Sequence, residues 1–314
     1  MNITTTRKIL RFILTPAVVL ITLIIFYQGE ILVEKLKEKY AGGNSQFMPL
    51  MGMNIHYRDE GNPDDSLPLV LIHGTSSSLH TWDSLVKRLS PAKRIIRLDL
   101  PAFGLTGPNP GQDYSLGFYN RVIDSFLVRL NINKYAIAGN SLGGSIAWHQ
   151  ALFTPEKVSQ LILINSGGYP KKEEKGNIGF KLAAIPVVGT LLSKFTPKAL
   201  IRKSIEDVYS NDERITDELI DRYFDLLLRE GNRKATIDIF KNPSKPEPAL
   251  IKNITTPTLI IWGEDDQLID VSNAYRFKED ISNSQLLVIP HSGHVPMEET
   301  PEPVYQAIRK MFEF

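Results

Sequence analysis

Apolar positions in this chain fall into three patterns. The first is one long uncharged run at the start, residues 12–27, preceded by Arg7, Lys8 and Arg11. The second is a series of short, largely apolar runs at residues 67–72, 94–98, 135–138, 161–164, 258–262 and 286–289. Runs of this length without alternation are what a parallel sheet covered on both faces requires. The third is apolar residues at helical spacing between most of those runs, as at residues 82–89 and 116–130. One segment alternates instead: Met53-Asn54-Ile55-His56-Tyr57, which pairs with residues 47–51 as a hairpin across Gly52. Strand alternating with helix predicts an α/β fold, a mostly parallel doubly wound sheet with right-handed crossovers.

The alternation fails between about residues 168 and 250, where no strand pattern stands. That interval opens with Lys171-Lys172-Glu173-Glu174-Lys175, which reads as a solvated loop. Apolar helical pieces follow. Residues 180–192 are interrupted by Pro186 and Gly189. Leu219, Ile220, Tyr223, Phe224 and Leu227 form a helical stripe after Thr216, which reads as its N-cap, with Gly231 as its end. The interval predicts a helical cap, residues 169–250, inserted between two parts of a core, residues 44–168 and 251–314. Part of its apolar surface must pack on the core; the rest is expected to face a cleft.

With Ile9 and Leu10 added, the first run approaches the ~20 residues that cross a bilayer, provided that Arg11 snorkels. A cleaved signal peptide wants small residues after the run, and Gln28-Gly29-Glu30-Ile31-Leu32 supplies no such site. The run therefore reads as an uncleaved N-terminal transmembrane anchor. The positive-inside bias then keeps residues 1–11 in the cytoplasm and puts the rest on the non-cytoplasmic side. The lesser alternative is a buried helix of the domain; the basic flank and the distance to the first strand argue against it. Residues 30–40 place Glu and Lys around Ile31, Leu32 and Leu36 and read as a helical stalk ending at Gly42-Gly43, so residues 1–43 form anchor and stalk.

Composition removes several function classes. The chain has 36 Lys+Arg against 35 Asp+Glu, so nothing points to nucleic acid or an acidic partner. It has no cysteine, which excludes disulfides, Cys-based metal sites and Cys nucleophiles. No zinc-type ligand spacing and no Gly-x-Gly-x-x-Gly after a strand occur, so no metal or organic cofactor is implied. A length of 314 residues holds one large α/β domain with an insertion, or two small domains, and leaves the oligomeric state open.

Candidate chemistry centres on Tyr135-Ala136-Ile137-Ala138-Gly139-Asn140-Ser141-Leu142-Gly143-Gly144. An apolar run enters Gly-x-Ser-x-Gly, and a helix-compatible stretch follows: strand, sharp turn, helix, with a serine at the turn. Such a reversal leaves no room for a Cβ at Gly139 or Gly143. A serine hydroxyl needs a base, and the base an orienting group. Of six histidines, His294 follows the last strand, at the sheet edge where loops after parallel strands meet. Gly293 frees the backbone beside it; His291 is the rival, and His149 should point away. For the acid, Gly263-Glu264-Asp265-Asp266-Gln267 follows the strand at residues 258–262. Asp266 is preferred, Asp265 next, then Glu264 and Asp270. The end of the strand at residues 161–164 offers only Asn165 and Ser166, neither acidic. Oxyanion donors are expected from the backbone N–H of Leu142 and, in His73-Gly74-Thr75-Ser76-Ser77-Ser78, from that of Thr75. His73 should brace that loop.

Together these residues resemble the α/β-hydrolases, in the broad lid-bearing esterase, lipase and epoxide hydrolase-like group. The resemblance spans residues 47–314 and rests on His73-Gly74, Asp99-Leu100-Pro101-Ala102-Phe103-Gly104, the Ser141 segment, Trp262-Gly263-Glu264-Asp265-Asp266 and Gly293-His294. It implies Asp266 as the acid, because in such families the acid is the last aspartate of the Trp-Gly-x-x-Asp pattern. It implies a serine hydrolase acting on carboxylic esters, with a small-molecule or lipid ester as substrate and no cofactor. Epoxide hydrolases and dehalogenases of this kind carry an aspartate where Ser141 stands. Carbon–carbon bond hydrolases share the Gly-Asn-Ser-x-Gly-Gly elbow, but usually with a Gly-Pro-Gly type loop where Thr75-Ser76-Ser77-Ser78 stands here. Amide, thioester or carbon–carbon hydrolysis on the same residues, and a non-catalytic binding protein at the membrane, are the alternatives.

Overall fold

The short apolar runs become strands because residues that shun water on both sides must be covered on both sides. The computed structural model describes residues 27–170, 182, 185, 188, 193–243 and 247–314. β1 (Ser45–Leu50) and β2 (Met53–Gly61) form the expected hairpin. Met51 and Gly52 at its tip have φ of 50° and 76°, as a two-residue turn matched to strand twist demands. Then come β3 (Leu69–Ile72), β4 (Arg94–Leu98), β5 (Tyr135–Asn140), β6 (Val158–Ile164), β7 (Thr258–Gly263) and β8 (Ser284–Ile289). The sheet order is β1-β2-β4-β3-β5-β6-β7-β8. β2 pairs antiparallel with β1 and β4, and every other pairing is parallel. All residues of β3, β5 and β7 are buried. In β3, Leu69 and Leu71 enter one apolar cluster while Val70 and Ile72 enter another. That is the period-two geometry of a strand serving two cores.

Helices cover both faces. α2 (Asp83–Leu89) and a later helix, residues 301–312, close one cluster with Leu85, Val304 and Ile308. α3 (Leu116–Arg129) and α4 (Leu142–Phe153) close the other with Phe126 and Trp148. Between β6 and β7 stand α5 (Lys198–Glu206), α6 (Asp217–Leu228) and α7 (Asn232–Lys241). Thr216 caps α6 as expected, its Oγ1 accepting from Leu219 N at 3.2 Å. Gly231 behaves differently from its expectation. The α6 helix already stops at Leu228, and Gly231, at φ 81°, opens α7 instead. The expected loop at residues 171–175 and most of the apolar piece at 180–192 lie outside the described residues.

The expected transmembrane run, residues 12–27, lies outside the described residues except for Tyr27. Among the described residues, no helix is long and apolar enough to cross a membrane. The expected stalk is a helix, α1 (Val33–Tyr40), but it does not stand free. Leu36 is buried against Leu105 of the core and Leu226 of α6. Lys39 Nζ and Tyr40 OH donate to Asp225 Oδ2 at 2.7 and 2.8 Å. Ile31 N donates to Leu228 O at 2.8 Å, and Glu230 N to Ile31 O at 3.0 Å. Leu36, with Ile31 and Val33 packed beside it, the Lys39-Tyr40 pair and the Ile31 backbone together strap this segment across core and α6.

Candidate active site

Ser141 is held between the last residue of β5 and the first of α4, at φ 54° and ψ −115°. L-residues avoid such values, so the surroundings must impose them. A Cβ on Gly139 would lie 2.1 Å from Gly143 O, and one on Gly143 2.1 Å from Ile72 O. The elbow is packed backbone to backbone, as its glycines predict. Leu142 N–H sits at the first helical position and so has no intrahelical acceptor. Ser141, Gly74, Thr75 and His294 all border one cavity of about 140 Å³. The rest of its lining is mainly apolar side chains of α5, α6 and α7, among them Leu200, Ile201, Leu227 and Phe240.

Asp266 and His294 meet as the sequence predicts. His294 Nδ1 lies 2.8 Å from Asp266 Oδ2, and both residues are buried. Asp266 Oδ1 accepts from Leu268 N at 2.7 Å and Ile269 N at 3.0 Å, and Oδ2 also from Asn165 Nδ2 at 2.7 Å. With Nδ1–H donating to that carboxylate, Nε2 is left as the acceptor on the cavity side. Ser141 Oγ and His294 Nε2 are not hydrogen-bonded to each other; in the absence of substrate such contacts are often long and tighten on binding.

The rivals have other situations. His291, Glu264 and Asp270 are exposed, and Asp265 Oδ2 accepts from Ser210 Oγ at 2.6 Å. His149 packs on Trp148 and Phe153 away from the cavity. His73 braces its loop: Nδ1 donates to Gly74 O at 2.7 Å, and Nε2 accepts from Leu100 N at 2.9 Å. That pattern needs a neutral ring, and burial pushes the His73 pKa down accordingly.

Three supporting residues escape the sequence reading. Asn165 stands where an acid would otherwise sit and donates to Asp266. Asn140 Nδ2 donates to His294 O at 3.0 Å and Ile164 O at 3.1 Å. The buried Glu299 carboxylate accepts from Gly293 N at 2.7 Å and from Ser210 N and Asn211 N at 2.8 Å each. His294 N in turn donates to Val208 O at 2.7 Å. The segment after α5 is thereby fastened to the loop that carries His294. The two asparagines had one signal, their position at strand ends on the edge where loops converge; Glu299 had none.

A second imidazole–carboxylate pair lies nearby. His56 Nδ1 is 2.7 Å from Asp99 Oδ2, and both side chains are fully buried. Burial pushes the Asp99 carboxyl up, but the adjacent His56, together with His73 and His80, holds the group well below the usual carboxylate range. Leu79 N and Leu105 N each donate to the same carboxylate at 2.7 Å, and His56 Nε2 lies 2.9 Å from Ser45 Oγ.

The sequence profile described as the alpha/beta hydrolase family matches residues 69–307. The chain is similar to the uncharacterized hydrolase YugF of Bacillus subtilis, 29% identical over 82% of this chain and 93% of that one. It is also similar to monoacylglycerol lipase ABHD6 of Mus musculus, 26% identical over 78% of this chain and 75% of that one. Among solved structures it resembles a meta-cleavage product hydrolase from Pseudomonas fluorescens, with a TM-score of 0.74 and 25% identity over 85% of this chain and 97% of that one.

Proposed function

The chain belongs to the alpha/beta hydrolase family, and within it we propose a serine hydrolase that cleaves carboxylic esters through Ser141, His294 and Asp266. The observation that carries this reading is the opening of Ser141 and His294 on one cavity, with His294 Nδ1 held 2.8 Å from Asp266. Ser141 Oγ attacks the acyl carbonyl while His294 Nε2 takes its proton. The Leu142 and Thr75 N–H groups receive the developing oxyanion, each worth roughly 3–4 kcal/mol of barrier. Collapse expels the alcohol, protonated by His294, and leaves an acyl-serine. Water, deprotonated by His294, then releases the acid and restores the serine. Asp266 holds the imidazole in the tautomer that both half-reactions need. The apolar walls from α5, α6 and α7 suit an acyl chain, and a lipid such as a monoacylglycerol meets that requirement.

Carbon–carbon cleavage on the same three residues is the second reading, supported by the likeness to a structure named as a meta-cleavage product hydrolase; the Thr75-Ser76-Ser77-Ser78 loop favours the ester reading. We further propose that residues 12–27 anchor the protein in a membrane with the hydrolase domain on the non-cytoplasmic side. Carbonate-resistant membrane association of the full chain, lost without residues 1–26, is the expected result.

A fluorophosphonate probe read by intact mass tests the chemistry. Wild type should gain one adduct and Ser141→Ala none. Hydrolysis of p-nitrophenyl esters of graded chain length should follow, with turnover of a carbon–carbon substrate as the outcome favouring the other reaction. A folded wild type that takes no label would end the serine-hydrolase reading.

A further inference from the structure

Most buried charges in this protein have visible partners. Arg97, 2% exposed, is met by Glu60 at 2.7 Å and by Asp83. Arg233 on α7 is as deeply buried, at 3% exposed, and no carboxylate pairs with it among the described residues. Its Nη2 donates to Gln28 O at 2.7 Å, while Nε and Nη1 have no hydrogen-bond partner among the described residues. Three residues further along α7, Thr236 is 6% exposed and its Oγ1 is likewise without a partner. Residues at that spacing share a helix face, and both line the cavity on which Ser141 and His294 open. That lining contains no Asp or Glu.

An unpaired buried cation is costly to keep, since desolvation is offset only when a counter-charge arrives. Burial pushes the Arg233 guanidinium pKa down, opposed by Glu30, which makes no ion pair with it and stands outside the cavity lining; guanidinium remains charged in proteins. A purely apolar acyl chain would leave Arg233 Nε, Arg233 Nη1 and Thr236 Oγ1 unsatisfied; an anionic oxygen group would accept from all three. We propose that Arg233 and Thr236 form an oxyanion subsite within the substrate cavity, so that the preferred substrate carries a carboxylate or phosphate away from its scissile ester. The inference rests on the ester-hydrolase reading of Ser141 for the word substrate, but the subsite itself is testable without turnover. Arginine suits this task because its donors are fixed in a plane and charge-assisted hydrogen bonds to such groups are the strong ones.

The charge could stand at the acyl end or at the alcohol end. Two pairs of probes separate these: p-nitrophenyl hexanoate against the p-nitrophenyl half-ester of adipic acid, and propyl hexanoate against the hexanoate ester of 3-hydroxypropyl phosphate. At least one anionic probe should exceed its uncharged counterpart in kcat/KM by tenfold or more. Arg233→Met should abolish that preference, bringing the ratio of anionic to neutral kcat/KM down to about one. Thr236→Val should weaken it in the same direction. In parallel, adipate, 3-hydroxypropyl phosphate and hexanoate are titrated calorimetrically into Ser141→Ala with and without Arg233→Met. An anion that binds only when Arg233 is present supports the subsite even if wild type proves inert to fluorophosphonate. Equal handling of charged and neutral probes by wild type and Arg233→Met, with no Arg233-dependent binding, overturns it. Arg233→Met keeps side-chain length and removes a buried charge, so its melting temperature should not fall; if it does, Arg233→Lys must retain the anion preference for the proposal to stand.

Discussion

Two buried histidines in this molecule touch aspartates in almost the same way. His56 meets Asp99 at 2.7 Å and His294 meets Asp266 at 2.8 Å. In each pair the carboxylate also accepts two backbone N–H groups. They differ at the other ring nitrogen. His56 Nε2 lies 2.9 Å from Ser45 Oγ in a fully enclosed site, so both ring nitrogens are engaged. The His294 ring borders the cavity, and only its Nδ1 side is taken. A hydrogen-bonded imidazole–carboxylate pair is therefore not in itself a mark of catalysis. The first pair ties strand to loop inside the core; the second leaves a basic nitrogen where a substrate can reach it.

Substitution should drive the two pairs apart. His294→Ala should lower kcat/KM by roughly 10⁵-fold or more with little change in the urea midpoint. His56→Ala should do the reverse, costing about 3–5 kcal/mol of stability by stranding a buried carboxylate while the folded fraction keeps its hydrolase activity. Similar activity losses in the two variants would erase the distinction. The acids sharpen it: Asp266→Ala should cost roughly 10⁴-fold in kcat, whereas Asp99→Ala should be read mainly in denaturant unfolding. Glu299→Gln asks whether the loop bearing His294 needs its fastening. It turns one acceptor of three N–H groups into a donor and should cost up to about 100-fold in kcat/KM through misplacement of the base; wild-type kinetics in a folded variant would discount that role.

The smallest expected effect is on pH. Burial pushes the His80 pKa down to about 4, and His73 moves the same way. Between the ordinary imidazole value near 6.5 and about 4, the unfolded chain takes up protons that these buried rings refuse. Stability should therefore fall as pH drops through that window. Asp99, held low, contributes stability above the ordinary carboxylate range and loses it on further acidification. The urea midpoint should be lower at pH 5 than at pH 7.5, and His80→Gln should reduce the difference. A midpoint that does not move between those values would contradict the assignment.

The contrast between the pairs also marks what a sequence can show. Ser141, Gly139 and Gly143 are legible because one short segment sets their geometry. Asp266 and His294 are legible because parallel strands deliver their following loops to one edge. His56 is not singled out: on a strand where Met53, Ile55 and Tyr57 alternate inward, it reads with Asn54 as an outward polar position, and its partner Asp99 arrives from the loop after β4. Asn165 is noticed only for not being acidic, although it donates to the acid. Arg233 looks like a surface charge on an amphipathic helix until burial is known. Glu299 bonds Ser210 and Asn211, almost ninety residues earlier. No periodicity encodes such a contact.

The strap formed by α1 has a practical consequence for anyone who trims this chain. Sequence composition invites a cut at Gly42-Gly43, where charged helix gives way to strand. That cut would remove Leu36 from beside Leu226 and Tyr40 from beside Asp225 and His80. It would uncover the outer side of α6, the helix that also supplies Leu227 to the cavity wall. A shortened form that keeps its native wall therefore starts no later than Tyr27, and one starting at residue 44 should expose a sticky face and lose solubility before it loses any catalytic group.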